Sequence, residues 1–220
     1  MSLFRNETRK VNNEQIFLSR QMKRKTADHQ KCKNDLKNDF ISLMEAFAET
    51  LVKTNKVLTN FSLLRRPRSL EATVIQGFFA DIVYEKFGEK ASLGKYKRFV
   101  LRLEGYLVLF KKLDNQGYPM NVKTRANQHI LNQSQLLELF PESNYNNLPI
   151  LFFGYKKNKF GLCVKPQLIY IDNEQVQFVI DESDFDIELP MINNITMPEV
   201  DEPKETKPKL KVKTQIRKEG

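Results

Sequence analysis

Apolar residues at Leu36, Phe40, Leu43, Met44, Phe47 and Leu51 recur at three- and four-residue intervals and predict a helix with one broad buried face. Neither Gly nor Pro occurs from Asn12 to Asn60, so the chain there can form one long helix or two in series. Its upstream part is thinner: Ile16, Leu18 and Met22 stand among Lys23, Arg24, Lys25, Lys31 and Lys33. Pro67 then excludes Arg66 from helical geometry, and Ser69 is positioned as the N-cap of a second helix. Val74, Ile75, Phe78, Phe79, Ile82 and Phe87 give that helix a wide apolar stripe from Leu70 to Phe87, with Gly88 as its left-handed cap.

The period changes at Tyr96. Phe99, Leu101 and Leu103 alternate with Arg98, Val100 and Arg102, the signature of a strand buried on one face. Glu104-Gly105 reads as a tight hairpin turn into a second strand that ends at Leu113. Asp114 to Pro119 is a loop, and Thr124 caps a short helix from Arg125 to Phe140. Pro149 to Tyr155 is a nearly continuous apolar run, hence a buried strand. Two strand pieces follow, Phe160–Val164 and Gln167–Ile171, separated by Pro166, and a turn at Asp172–Glu174 leads into Val176–Ile180.

This order predicts an α+β protein. A basic helical region (1–66) precedes an α+β domain (67–182) with a small antiparallel sheet and two packed helices. Beyond it, residues 183–220 form an acidic-then-basic tail that is expected to be disordered, with three prolines between Met197 and Gly220.

Charge sharpens the picture. The chain has 36 Lys and Arg against 27 Asp and Glu, a net charge of +9. Residues 1–68 hold 15 bases and 7 acids, whereas residues 183–203 hold 6 acids and no base. Clustered basic charge attracts polyanions by releasing their counterions, although solvated lysine-rich surfaces look the same in sequence. The two cysteines cannot build a disulfide framework, and Met1 to Lys10 lacks the apolar core of a secretory leader. A cytoplasmic protein without membrane association is expected.

No Walker-type or Gly-x-Gly-x-x-Gly segment is present, and neither histidine stands at metal-ligand spacing, so no cofactor, metal or catalytic residue is assigned. Cys32, between Lys31 and Lys33, is a candidate reactive thiol. A restriction-type nuclease requires a carboxylate and a lysine one residue apart on a strand. That pairing is missing, and Asp81, Glu85, Glu104 and Lys112 are the residues such an enzyme would have to use.

The expected function is therefore non-enzymatic binding of DNA or RNA. Its expected contacts are Lys23, Arg24, Lys25, Arg65, Arg66 and Arg68 in the helical region. Lys97, Arg98, Arg102, Lys111, Lys112, Lys123, Arg125, Lys156 and Lys157 join them in the α+β domain. Tyr155, together with Tyr96, Tyr106 and Tyr118, would offer rings for base stacking. The alternative is a protein-interaction or regulatory factor that meets a partner, or another copy of itself, through its long N-terminal helix.

Overall fold

The computed structural model describes residues 23–62, 65–67, 69–94, 98–120, 123–134, 147–159 and 161–185. Expectations placed on the first 22 residues, on Arg68, on residues 95–97 and 135–146, on Phe160 and on residues 186–220 lie outside these residues. Ser183 to Phe185, expected to open the disordered tail, instead form a 3-10 turn that buries Phe185 against Phe40.

Two helices in series open the described chain, α1 (His29–Asp35) and α2 (Lys37–Leu58). Asp28 caps the first by accepting the Lys31 N–H at 2.8 Å. All six stripe residues from Leu36 to Leu51 are buried. Helix α3 runs from Leu70 to Phe87 as its pattern predicts. Its caps differ in detail. Ser69 occupies the N-cap position without a side-chain capping bond, since its backbone is already helical at φ −83°, ψ −20°. Gly88 has φ +55° but ψ −127°, a region open to glycine rather than the left-handed helical one.

Six strands form one sheet in the order β1 (Ala91–Gly94), β2 (Arg98–Leu103), β3 (Tyr106–Lys112), β4 (Ile150–Lys157), β5 (Cys163–Asp172) and β6 (Gln175–Ile180). Glu104 and Gly105, both at positive φ, make the two-residue turn between β2 and β3, and Asn173 and Glu174 do the same between β5 and β6. The sheet is mixed, not antiparallel. Strands β3 and β4 run parallel, with Leu107 opposite Ile150 and Lys112 opposite Tyr155. Parallel pairing requires a crossover of a dozen or more residues, and the long connection between them supplies it, carrying α4 (Arg125–Leu131). That helix stops nine residues short of Phe140, because Gln133 turns to φ +51°. Strand β1, four residues at the sheet edge with only Ala91 buried, carries no alternating apolar pattern that would predict it. Strand β5 is continuous through Pro166, which sits where the β4–β5 register shifts and Lys165 takes φ +52°. Proline is tolerated in a sheet at such a bulge.

Alternation along the strands sends two apolar sets to opposite faces. Helices α1 to α3 cover one face, where Phe47 lies within ring-contact distance of Phe79, Phe110, Phe153 and Tyr155. Phe79 stacks on Phe110 with centroids 4.0 Å apart. This core is continuous across residue 66: Leu36, Phe40 and Phe47 share it with Leu101, Phe153 and Tyr170. On the other face Ile130 of α4 packs with Val100, Leu109, Phe152 and Ile169. Gln133, 1% exposed, latches α4 to the sheet. Its Nε2 donates to the carbonyls of Ile150 (2.9 Å) and Ile171 (2.8 Å), and its Oε1 accepts the Ile150 N–H (2.9 Å).

Gly154 marks the tightest point of the β3–β4 pair. A Cβ there would lie 2.5 Å from the Lys111 carbonyl oxygen and 2.7 Å from Leu113 Cγ. Gly154→Ala should therefore destabilise the fold by about 1–3 kcal/mol, the usual range for overpacking. Urea unfolding checks this, and an unchanged midpoint would show that the crossover end is loosely packed.

Candidate nucleic-acid interface

Strand direction decides where the cations gather. Because β3 and β4 are parallel, both end on lysine pairs at the same end of the sheet: Lys111-Lys112 and Lys156-Lys157. Strand β2, antiparallel to β3, starts there with Arg98. Helix α4 also starts there: Arg98 Nη2 donates to Asn127 Oδ1 at 3.5 Å, and Lys123 and Arg125 are exposed beside it. Helices α2 and α3 are antiparallel, with Lys86 reaching Glu45 at one end. Their connecting loop, with Arg65 and Arg66, lies at the other, where Glu71 of α3 meets Lys157.

Acids at this end are Glu71, Asp114 and, just beyond the end of β6, Asp181, Glu182 and Asp184. Glu71 pairs with Lys157, and Asp114 accepts the backbone N–H groups of Gln116 (2.9 Å) and Tyr118 (2.8 Å). The opposite end carries Asp35, Glu104, Asp172 and Glu174; Tyr106 donates to Asp35 at 3.1 Å, and Lys90 lies 3.6 Å from Glu104. That end also carries Lys23, Arg24, Lys25, Lys90 and Arg102, so it is the side-by-side lysine pairs, not a net difference in charge, that set the basic end apart.

Several expected contact residues are placed elsewhere. Lys23, Arg24 and Lys25 lie at the acidic end. Lys23 Nζ donates to both oxygens of Asp172 (3.0 and 3.1 Å), and Lys25 is exposed, its backbone N–H donating to the Asn147 carbonyl at 3.1 Å. Arg24, 3% exposed, donates from Nη1 to the Ser134 carbonyl at 2.6 Å, and burial pushes its guanidinium down to about 10. Arg102 is at the hairpin end and donates to the Glu89 carbonyl at 2.7 Å. Arg66 caps α2 by donating to the carbonyls of Leu58 and Phe61. Tyr155 is 1% exposed, its ring packed on Phe47 and Phe110, and Tyr106 is buried as well. Neither ring can stack on a base; Tyr118 is half-buried. Arg68, Tyr96 and Lys97 lie outside the described residues. Sequence reasoning did not single out Asn127, although the Thr124 cap fixes it in the first turn: Thr124 accepts the Asn127 N–H at 3.2 Å.

The lysine pairs straddle the sheet. Lys111 and Lys156 lie on the α4 side, and Lys156 reaches the Asn115 carbonyl at 3.4 Å. Lys112 and Lys157 lie on the helical side with Cys163, whose thiol is pushed up to about 11, chiefly by burial. Burial also lowers the proton affinity of Arg98, and that of Lys111 is lowered by burial and then by the charge of Arg98.

Cys32 is 0% exposed and its thiol is pushed up to about 11, mainly by burial, so flanking lysines do not activate it. Glu104, in the turn before β3, and Lys112, at the far end of that strand, are about 23 Å apart at strand rise and cannot act on one phosphate. Among the described residues no group of three or more His, Cys, Asp or Glu side chains could hold a metal, and no helix is long and apolar enough to cross a membrane. An open cleft of about 500 Å³ at the acidic end is lined by Lys23, His129, Asn132, Ser134, Asn173 and Glu174. No protein-family model, curated protein or solved structure matches this chain.

Two outcomes follow from this environment. At pH 8 a thiol reagent should leave Cys32 unmodified in the folded protein and label it after addition of urea; rapid labelling without urea would contradict its burial. The unfolded chain binds the Lys111 proton more tightly than the folded one, so stability rises as pH climbs through the lowered folded pKa. Lys111→Met should accordingly raise the thermal midpoint at pH 7, and a lower midpoint would mean that the ammonium is stabilised by an interaction not described here.

Proposed function

We propose that the chain is a non-enzymatic nucleic-acid-binding protein that contacts DNA or RNA with the basic end of its sheet. The supporting observation is the convergence of Arg98, Lys111, Lys112, Lys156, Lys123 and Arg125 at the ends of β2, β3, β4 and the start of α4. Such a surface neutralises backbone phosphates and steers polyanions toward it. With Tyr106 and Tyr155 in the core, the contact is to the backbone rather than to stacked bases. The alternative, a partner bound through the N-terminal helix, has less to work with: the apolar stripe of α2 is committed to the core, which leaves its outer face, where Val52 is exposed.

Fluorescence anisotropy with labelled single- and double-stranded DNA and RNA tests the proposal. Affinity should fall steeply with salt, by a slope that counts the phosphates contacted. Lys123→Glu combined with Lys156→Glu should weaken binding by about 10-fold or more and reduce the slope, whereas Lys25→Glu at the acidic end should leave both nearly unchanged. Equal effects of the two changes, or binding that vanishes for every polymer by physiological salt, would remove the proposal.

A further inference from the structure

Within the basic end, Arg98 and Lys111 differ from the other cations in what surrounds them. Several cations in the fold are offset by a carboxylate: Lys157 has Glu71, Lys23 has Asp172, Lys33 has Asp184 and Lys90 has Glu104. Arg98 and Lys111 are each withdrawn from water, close enough for the charge of one to act on the other, and no carboxylate among the described residues acts on either. Arg98 Nη1 is buried with no hydrogen-bond partner among the described residues. Its Nη2 reaches only a neutral amide oxygen, Asn127 Oδ1, at the long distance of 3.5 Å.

Two like charges held together in a partly desolvated position oppose folding unless something of opposite sign joins them. The fold nevertheless holds them there. Arg98 opens β2, Lys111 lies near the end of β3, and Asn127, fixed in the first turn of α4 by the Thr124 cap, orients the guanidinium. A guanidinium beside a flexible ammonium suits a tetrahedral oxyanion: Nη2, held only by the long contact to Asn127, supplies a charge-assisted N–H donor and the lysine a point charge. A planar carboxylate has its two oxygens in one plane, whereas a tetrahedral phosphate presents oxygens in different directions to the guanidinium and the ammonium.

We infer that Arg98 and Lys111, oriented through Asn127, form a binding site for a phosphate group. The group is either a backbone phosphodiester or a phosphate free in solution or carried as a monoester. The site goes beyond the nucleic-acid proposal, because inorganic phosphate alone would occupy it. In the first case it fixes where a strand's backbone is gripped; in the second the protein is a sensor or carrier of a small phosphorylated ligand.

Thermal unfolding and titration calorimetry of the full chain, with inorganic phosphate against chloride at matched ionic strength, test the inference. Saturating phosphate should raise the midpoint by a few degrees, on the order of 2–4 °C, beyond the chloride control. Arg98→Gln and Lys111→Met should each weaken phosphate binding by at least ~10-fold, while Lys25→Met leaves it intact. Circular dichroism confirms that the variants fold, and Lys111→Met, which removes a repelled charge, keeps the test open if Arg98→Gln does not. An oligonucleotide without terminal phosphates then separates the sources. Competition with phosphate places a backbone phosphodiester in the site; failure to compete assigns the site to a small phosphate and counts against the nucleic-acid proposal alone. A phosphate effect no larger than that of chloride, or one that survives in both variants, would overturn the inference.

Discussion

Leu107 beside Ile150 and Phe110 beside Phe153 begin a parallel ladder in a sheet whose other neighbours are all antiparallel. The gathering of the two lysine pairs depends on that single pairing. Had β4 returned antiparallel to β3, Lys156 and Lys157 would lie beside Glu104 and Tyr106, at the far end from Lys111 and Lys112. Parallel pairing brings the two lysine pairs together and, because β5 is antiparallel to β4, sends Asp172 and Glu174 to the other end, where the β2–β3 turn holds Glu104 in any case. Gly154 permits the close approach that makes this possible, because no side chain fits between the β4 backbone, the Lys111 carbonyl and Leu113.

The aromatic layer under the helices stabilises this arrangement. Phe47 and Phe79 from two helices meet Phe110 and Phe153 from the two parallel strands, so the pairing and the helical cover are one packed unit. Tyr155 belongs to this unit and not to the surface. It follows Phe153 by two positions on β4 and therefore points to the same face, a consequence of strand alternation that its hydroxyl and its lysine neighbours obscure.

Much of the fold was legible because the signals were local. The stripe from Leu36 to Leu51, the helix ending before Gly88, the Glu104-Gly105 hairpin and the Asp172–Glu174 turn each rest on a period or a turn chemistry within a few residues. What was not legible depends on distant partners. Alternation is identical in parallel and antiparallel strands, so the direction of β4 could not be read from it. Gln133 looks like one more polar loop residue beside Asn132 and Ser134, yet it satisfies the backbone of Ile150 and Ile171. The candidate surface was legible as composition only. Lys23 to Lys25 and Arg102 are as basic in sequence as Lys111 and Lys156, and only the strand directions separate the two groups. Arg24 and Arg66 serve carbonyl oxygens, a use of arginine that no charge count distinguishes from phosphate binding.

Amide hydrogen exchange on the full chain, with and without a saturating DNA or RNA oligonucleotide, is the most direct test that strand direction creates the binding surface. Added protection should fall on residues 111–118 and 156–159, at the ends of the parallel pair, and leave the Asp172–Glu174 turn unchanged. Protection centred on that turn, or on Lys23 to Lys25, would contradict the account.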